Sequence, residues 1–293
     1  MKQKNLVKKA LFPAIIALLC SFVALTSVSY AWFTMGNKAE ISELNMNVTA
    51  ADGLQISSDG VKYGSTLTSS ELKGKTGNII FEENHEVSPV STVGTVVEGD
   101  IQFFTAVDDK GTLKDIKEST RNDKNFIVFD FYLNITAPDK VLQLDKKSFV
   151  ECINNLETHL SVRVAFCHLG SADKPSDALA LKLDSNDAIT IWEPNAMIRS
   201  AKAILNGADE NTKLDYDGVQ ATTTPTTKAV TTVAPAQDAD LLTTEVQKLF
   251  DLSAGYNKVR VYIWLEGQDV DCVNEASGGQ LSILLNFVQA DKQ

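Results

Sequence analysis

The sequence predicts an all-β protein: an antiparallel β-sandwich of jelly-roll-like form with a few short helices, preceded by an N-terminal signal or transmembrane helix. Three observations predict it. Apolar residues alternate with polar ones over short stretches, as in Leu44, Met46, Val48 and Ala50 against Asn45, Asn47 and Thr49, and a period of two marks a half-buried strand. Asp-Gly pairs at Asp52-Gly53 and Asp59-Gly60 punctuate these stretches, as hairpin turns require. Hydrophobic residues make up 44% of 293, enough for a core that needs no disulfide scaffold. Outside the first segment only Cys152, Cys167 and Cys272 remain, an odd number that allows one internal disulfide at most.

The chain opens with Lys2, Lys4, Lys8 and Lys9 and no acid, then runs uncharged and mostly apolar from Ala10 to Tyr30, ending in Ser29-Tyr30-Ala31. Basic, apolar and small in that order is the pattern of a secretory signal peptide. Ser29 and Ala31 fit the narrow pockets of a signal peptidase, so cleavage is expected after Ala31, leaving Trp32 first. A retained anchor is the alternative, since about 20 apolar residues span a bilayer; membrane contact would then be confined to this segment. Leu19 precedes Cys20, which argues against lipidation there. The remainder, 32–293, is expected to be one β-sandwich domain with a flexible insertion at about 219–237.

Tyr30-Ala31-Trp32-Phe33-Thr34 sets three aromatics around the expected cut. This segment resembles the export signal of the TasA/camelysin family of Gram-positive biofilm-fibre proteins, cut by a SipW-type signal peptidase. The resemblance covers little of the chain. It implies export to the cell surface or matrix, with the signal peptidase as a partner during export.

Along the domain, short strands are expected at 54–57, 61–68 and 101–107, with Gly-rich irregular chain over 69–100 and a charged exposed stretch at 114–125. Residues 125–136 read as the strongest strand, apolar on nearly both faces through Phe126, Val128, Phe129, Phe131, Leu133 and Ile135, which suits a central position. A short strand follows at 141–144, one or two helical turns at 147–156, then strands at 159–169 and 188–192, stopped by Glu193-Pro194-Asn195. Residues 196–205 read as a helix. The Thr/Pro/Ala tract over 222–236 is low in complexity and reads as a flexible loop. Residues 240–252 read as a short helix, and 258–267 and 279–289 as the last two strands. Two strands cannot stand alone, so these are expected to rejoin the main sandwich.

The formal charge of −11 disfavours nucleic acid and anionic membranes as partners. The sequence holds no H-E-x-x-H, G-x-S-x-G or P-loop motif. His85, His159 and His168 are scattered, and Cys167 and His168, as strand neighbours, point to opposite faces. Oxygen donors cluster at Asp209, Asn211, Asp215 and Asp217, a weak calcium site by donor type; no other cofactor is expected. Glu266, Asp269 and Asp271 form a second acidic stretch, expected to be a solvated loop. The run Tyr262–Gly267 with Asp269 and Cys272 resembles a segment of uncharacterised Gram-positive surface proteins carrying the same export signal. That likeness names no activity; Trp264 is expected to pack on the sheet and Gly267 to open the turn.

These readings converge on an exported, non-catalytic surface or matrix protein, a TasA-like fibre subunit assembling with itself or with other matrix proteins. Leu44, Met46 and Val48 would form an assembly strand whose side chains fill a neighbour's groove, and removal of residues 32–41 should spare the fold. Pairing of that strand within its own domain is the competing reading. The alternative functions are a monomeric adhesin or carbohydrate-binding sandwich and a camelysin-type metallopeptidase.

Overall fold

A computed structural model describes residues 38–48, 53–75, 78, 86–92, 94–109, 112–185, 187–195, 198–205, 230–233, 247–267, 269, 271–273 and 276–292. The expected cleavage residues Ser29, Ala31 and Trp32 lie outside them, as do Asp209, Asn211, Asp215 and Asp217. Among the described residues no helix is long and apolar enough to cross a membrane.

The protein is all-β. Its strands are β1 (Ala39–Val48), β2 (Gln55–Ser57), β3 (Thr66–Thr68), β4 (Glu86–Val87), β5 (Val96–Val97), β6 (Asp100–Ile101), β7 (Phe103–Asp109), β8 (Thr112–Ser119) and β9 (Ile127–Ile135). There follow β10 (Lys140–Leu144), β11 (Phe149–Cys152), β12 (Val162–Ala172), β13 (Ile189–Trp192), β14 (Val230–Val233), β15 (Gln247–Leu252), β16 (Gly255–Leu265) and β17 (Gly279–Asp291). Among the described residues, the short α-helices α1 (Ser69–Leu72), α2 (Pro175–Ala180) and α3 (Ala201–Leu205) and 3-10 turns at Arg121–Asp123 and Thr158–Ser161 sit in the connections.

One sheet runs β15-β10-β17-β1-β3, with β11 also on β17 and β4 on β1; the other runs β14-β13-β12-β16-β9-β2. They face each other across a continuous apolar core. Phe287 of the first sheet meets Phe131 and Phe166 of the second, with ring centroids at 5.3 and 5.9 Å.

A second apolar cluster covers the far side of the β14–β2 sheet, built around Phe103, Phe126, Val128, Tyr262 and Trp264. This double covering explains the composition of β9. Ile127, Phe129, Phe131, Leu133 and Ile135 belong to the inter-sheet core, and Val128 to the second cluster. The one acid of the strand, Asp130, shares the side of Val128 and is neutralised there. Arg260 donates to it at 2.6 and 3.0 Å, and Lys258 lies 3.1 Å away. Burial would raise the pKa of Asp130, but these two cations outweigh it and hold it below the ordinary carboxylate value.

Several elements differ from expectation. Two strand pairs, β1–β17 and β13–β14, are parallel in a sandwich expected to be antiparallel. Parallel pairing needs a long crossover, and here most of the chain separates β1 from β17. Residues 149–152, expected as helical turns, form β11: Val150 and Cys152 turn into the core while Phe149 and Glu151 face outward. The segment 247–252, expected as helix, is β15 on the edge of β10. Its Leu249, Phe250 and Leu252 are buried; pairing across the sheet outweighs their helix-compatible spacing. The charged stretch from Lys114 is largely β8, paired with β7. Within the Thr/Pro tract, Val230–Val233 forms the edge strand β14, so the expectation of loop throughout fails at those four residues.

Candidate functional site

Strand β1 joins the segment expected to direct export to the body of the sandwich. Its inward residues change parity along its length: Ala39 and Ile41 are buried, then Leu44, Met46 and Val48. A register shift between Ile41 and Glu43 causes the change, as a bulge must when it adds one residue to a pleat of period two. Leu44, Met46 and Val48 are therefore brought together, as their alternation suggests, but in the core of their own domain. β17 flanks β1 from Ala39 to Val48, β3 pairs with Asn45–Asn47, and β4 with Ala39–Glu40. Removing residues 32–41 would take Ala39 and Ile41 out of the core, so the expectation that this deletion spares the fold does not stand; only 32–38 precede β1.

The beginning of β1 is tied to the end of the β16–β17 connection. Gly278 N donates to Lys38 O at 2.7 Å, and Lys38 N to Ser277 Oγ at 3.2 Å. Asn154 secures the same turn from β11, donating to Gly278 O at 2.8 Å and accepting from Gln280 N at 3.1 Å. A Cβ at Gly279 would lie 2.0 Å from Thr158 Oγ1. Only glycine permits this approach of β17 to the turn before β12.

The other end of the same connection holds the buried charges. Expected as solvated, Glu266, Asp269 and Asp271 are 0, 3 and 0% exposed. Arg163 of β12 reaches Glu193 Oε1 through Nε at 3.0 Å and Asp269 Oδ2 through Nη2 at 2.5 Å. Asp269 Oδ1 accepts from Asp271 N at 2.8 Å. Asp271 in turn accepts from Ser200 N at 2.7 Å and pairs with Arg199 at 3.3 Å. Glu266 accepts from Trp264 Nε1 at 3.1 Å and from the Ser91 hydroxyl. Trp264 thus packs into the second cluster, as expected, and orients a carboxylate besides.

Burial opposes the charge on Arg163, but Asp269, Glu193 and Glu266 outweigh it and raise its pKa further. Burial pushes the Glu193 carboxyl up, against the pull of Arg163, and pushes Asp271 up likewise. The arrangement pairs acids with arginines and backbone donors, and among the described residues no group of three or more His, Cys, Asp or Glu could hold a metal.

The remaining candidates are separate. His168 stacks on Phe250 with centroids 4.8 Å apart and meets Asn257 Oδ1 at 3.1 Å; burial lowers its pKa. Cys152, Cys167 and Cys272 form no disulfide, and burial pushes the Cys167 thiol far up, away from nucleophilic use. The buried ion cluster is the feature that sequence reasoning misses. The signal for it is Arg163, a cation set between Val162 and Val164 in a strand apolar on both sides, which requires a buried anion. No family model, curated protein or solved structure matches the chain.

Proposed function

We propose that the chain is an exported, non-catalytic protein of the cell surface or extracellular matrix, similar to TasA-like fibre subunits, whose copies assemble by exchanging β1. The observation that supports this reading is the place of β1. It is the first described strand, it follows directly on the export-like segment, and it lies in the sheet between β17 and the short strands β3 and β4. A strand at a chain's beginning can leave one sheet and enter the same slot in another copy without threading. Main-chain bonds to β17 would supply affinity, and Leu44, Met46 and Val48 the fit. In this reading the signal peptidase releases Trp32 as the new N-terminus, and the acidic net charge keeps the exported subunit soluble until it assembles.

A disulfide lock tests it. Asn45 and Leu284 are register partners across β1 and β17, so Asn45→Cys with Leu284→Cys would hold β1 in its own sheet. Residues 32–293 should form oligomers by light scattering and filaments by negative stain. The oxidised lock should stay monomeric, and reductant should restore assembly. A wild-type chain that is monomeric at every concentration would overturn the proposal and favour the adhesin.

A further inference from the structure

The β7–β8 ribbon belongs to neither layer of the sandwich; its strands pair with each other as a separate two-stranded sheet. Its β7 side is tied to the body. Phe103 stacks on Phe126 with centroids 4.3 Å apart, and Phe104 exchanges two main-chain bonds with Ser91, both of 2.8 Å. The outer edge of β8 meets no further strand among the described residues. An unpaired edge of 8 residues is a template for another strand.

The charges of β8 face no opposite charge across their own ladder. Asp115 stands opposite Val107, Lys117 opposite Thr105 and Glu118 opposite Phe104, while Lys114 falls in the register shift between Leu113 and Asp115. Their order is Lys114-Asp115-Ile116-Lys117-Glu118. Read outward from Ile116, each sign on one side meets the opposite sign at the same distance on the other.

We infer that β8 pairs antiparallel with β8 of a second copy, about a two-fold axis at Ile116. Lys114 of each copy then stands opposite Glu118 of the other, Asp115 opposite Lys117, and Ile116 opposite itself.

Register is the first argument. A slip of one residue sets Lys114 opposite Lys117, or Asp115 opposite Glu118. A slip of two sets Asp115 or Lys117 opposite itself. Unlike charges directly opposite stabilise a strand pair and like charges destabilise it. Of these five registers, only the one about Ile116 is free of a like pair.

Symmetry is the second argument. A two-fold contact between identical copies uses one patch on both sides, and an antiparallel pair of identical strands has that form. The stretch is bounded by the bulge at Lys114 and by the turn Arg121–Asp123, so the axis falls within its regular part.

One short edge pair is too weak to hold two free subunits together. In the proposed fibre, and resting on that reading, the contact repeats at every subunit and joins filaments side by side through multivalency.

Cysteine trapping tests the pairing on residues 32–293 carrying Cys152→Ser, which removes the half-buried thiol. Ile116→Cys would set two thiols opposite each other within disulfide reach. It should dimerise under mild oxidant several-fold faster than Asp115→Cys or Lys117→Cys alone, and a mixture of those two should cross-link with each other. Adding Lys117→Glu to the Ile116→Cys chain should abolish the excess, and adding Asp115→Lys as well should restore it. Both changes fall opposite uncharged residues of β7, Thr105 and Val107, so neither breaks an ion pair of the hairpin ladder. Equal rates at the three positions, or indifference to the charge reversal, would overturn the inference. In wild-type background, Lys117→Glu should leave single filaments where the parent forms bundles; equal bundling would overturn the lateral contact. Absence of filaments would count against exchange of β1, while the trapping rates need no filaments and decide the β8 pairing by themselves.

Discussion

Arg163 and Asp269 meet at 2.5 Å with both side chains almost fully buried, 2 and 3% exposed. The pair pins the β16–β17 connection to β12, and the far end of that connection pins the start of β1. A buried ion pair is not itself a large source of stability, because desolvation offsets attraction. Its removal by halves is costly. Arg163→Met should strand Glu193 and Asp269 as unpaired buried acids and destabilise the protein by about 3–5 kcal/mol. Adding Glu193→Gln and Asp269→Asn should recover part of that loss. Urea unfolding of the three proteins checks this; a single variant no less stable than the triple variant would contradict it.

The sandwich is legible in the sequence wherever local pattern and tertiary role agree. β9 and β16 carry dense apolar residues because each is covered on both faces, and a strand so placed needs no contextual information. β11 and β15 are not legible. Four residues, 149–152, are too few for period to separate a helical turn from a strand, and only the waiting edges of β17 and β10 decide for β11 and β15. The solvated reading of Glu266, Asp269 and Asp271 fails for a related reason. Their arginine partners lie about 70 and 100 residues away, a separation that no local pattern encodes. β1 is intermediate: the alternation of Leu44, Met46 and Val48 is plain, but the bulge after Ile41 and the parallel partner are properties of the assembled sheet.

His168 gives the stability a definite pH dependence. Burial beneath the Phe250 ring lowers its pKa below the ordinary imidazole value of about 6.5, against the hydrogen bond to Asn257, which acts the other way. Below 6.5 the unfolded chain therefore takes up a proton that the folded chain resists. The His168 contribution is complete above that pH and is lost as pH falls through it. Glu193 and Asp271, whose pKa values are raised, act in the opposite sense: their contribution is present in acid and declines as pH rises through their folded values. His168→Gln should consequently flatten the fall in melting temperature between pH 7 and 5. Parallel curves for wild type and variant would assign that slope to another group.

Gly279 is a steric requirement. Any Cβ there meets Thr158 Oγ1 at 2.0 Å, Thr158 Cβ at 2.4 Å and Cys152 Sγ at 3.1 Å, and the Thr158 hydroxyl is committed to Ala276 O. Gly279→Ala should lower stability by about 1–3 kcal/mol through forced displacement. Thr158→Ser keeps both the hydroxyl and the Cβ that meet the new methyl and should relieve little; Thr158→Ala removes the hydroxyl but keeps the Cβ at 2.4 Å, so its rescue should be partial. Thermal melts of the two double variants distinguish the contact with Oγ1 from general crowding.

Val230–Val233 offers the sharpest test of a strand within a low-complexity tract. In the parallel ladder, Thr231 stands opposite Thr190 and Thr232 opposite Ile191. Alternate residues of such a strand turn their N–H toward the partner, and the rest turn it away. β14 ends the strand order of its sheet, so the outward N–H groups face no further strand among the described residues. Proline removes the N–H and is tolerated on an edge only where that group faces outward. Of Thr231→Pro and Thr232→Pro, one should therefore cost about 1–3 kcal/mol, the penalty of a broken ladder bond, and the other should be near neutral. A loop would tolerate both and a central strand neither, so melting temperatures that move together in either direction would rule out an edge strand here.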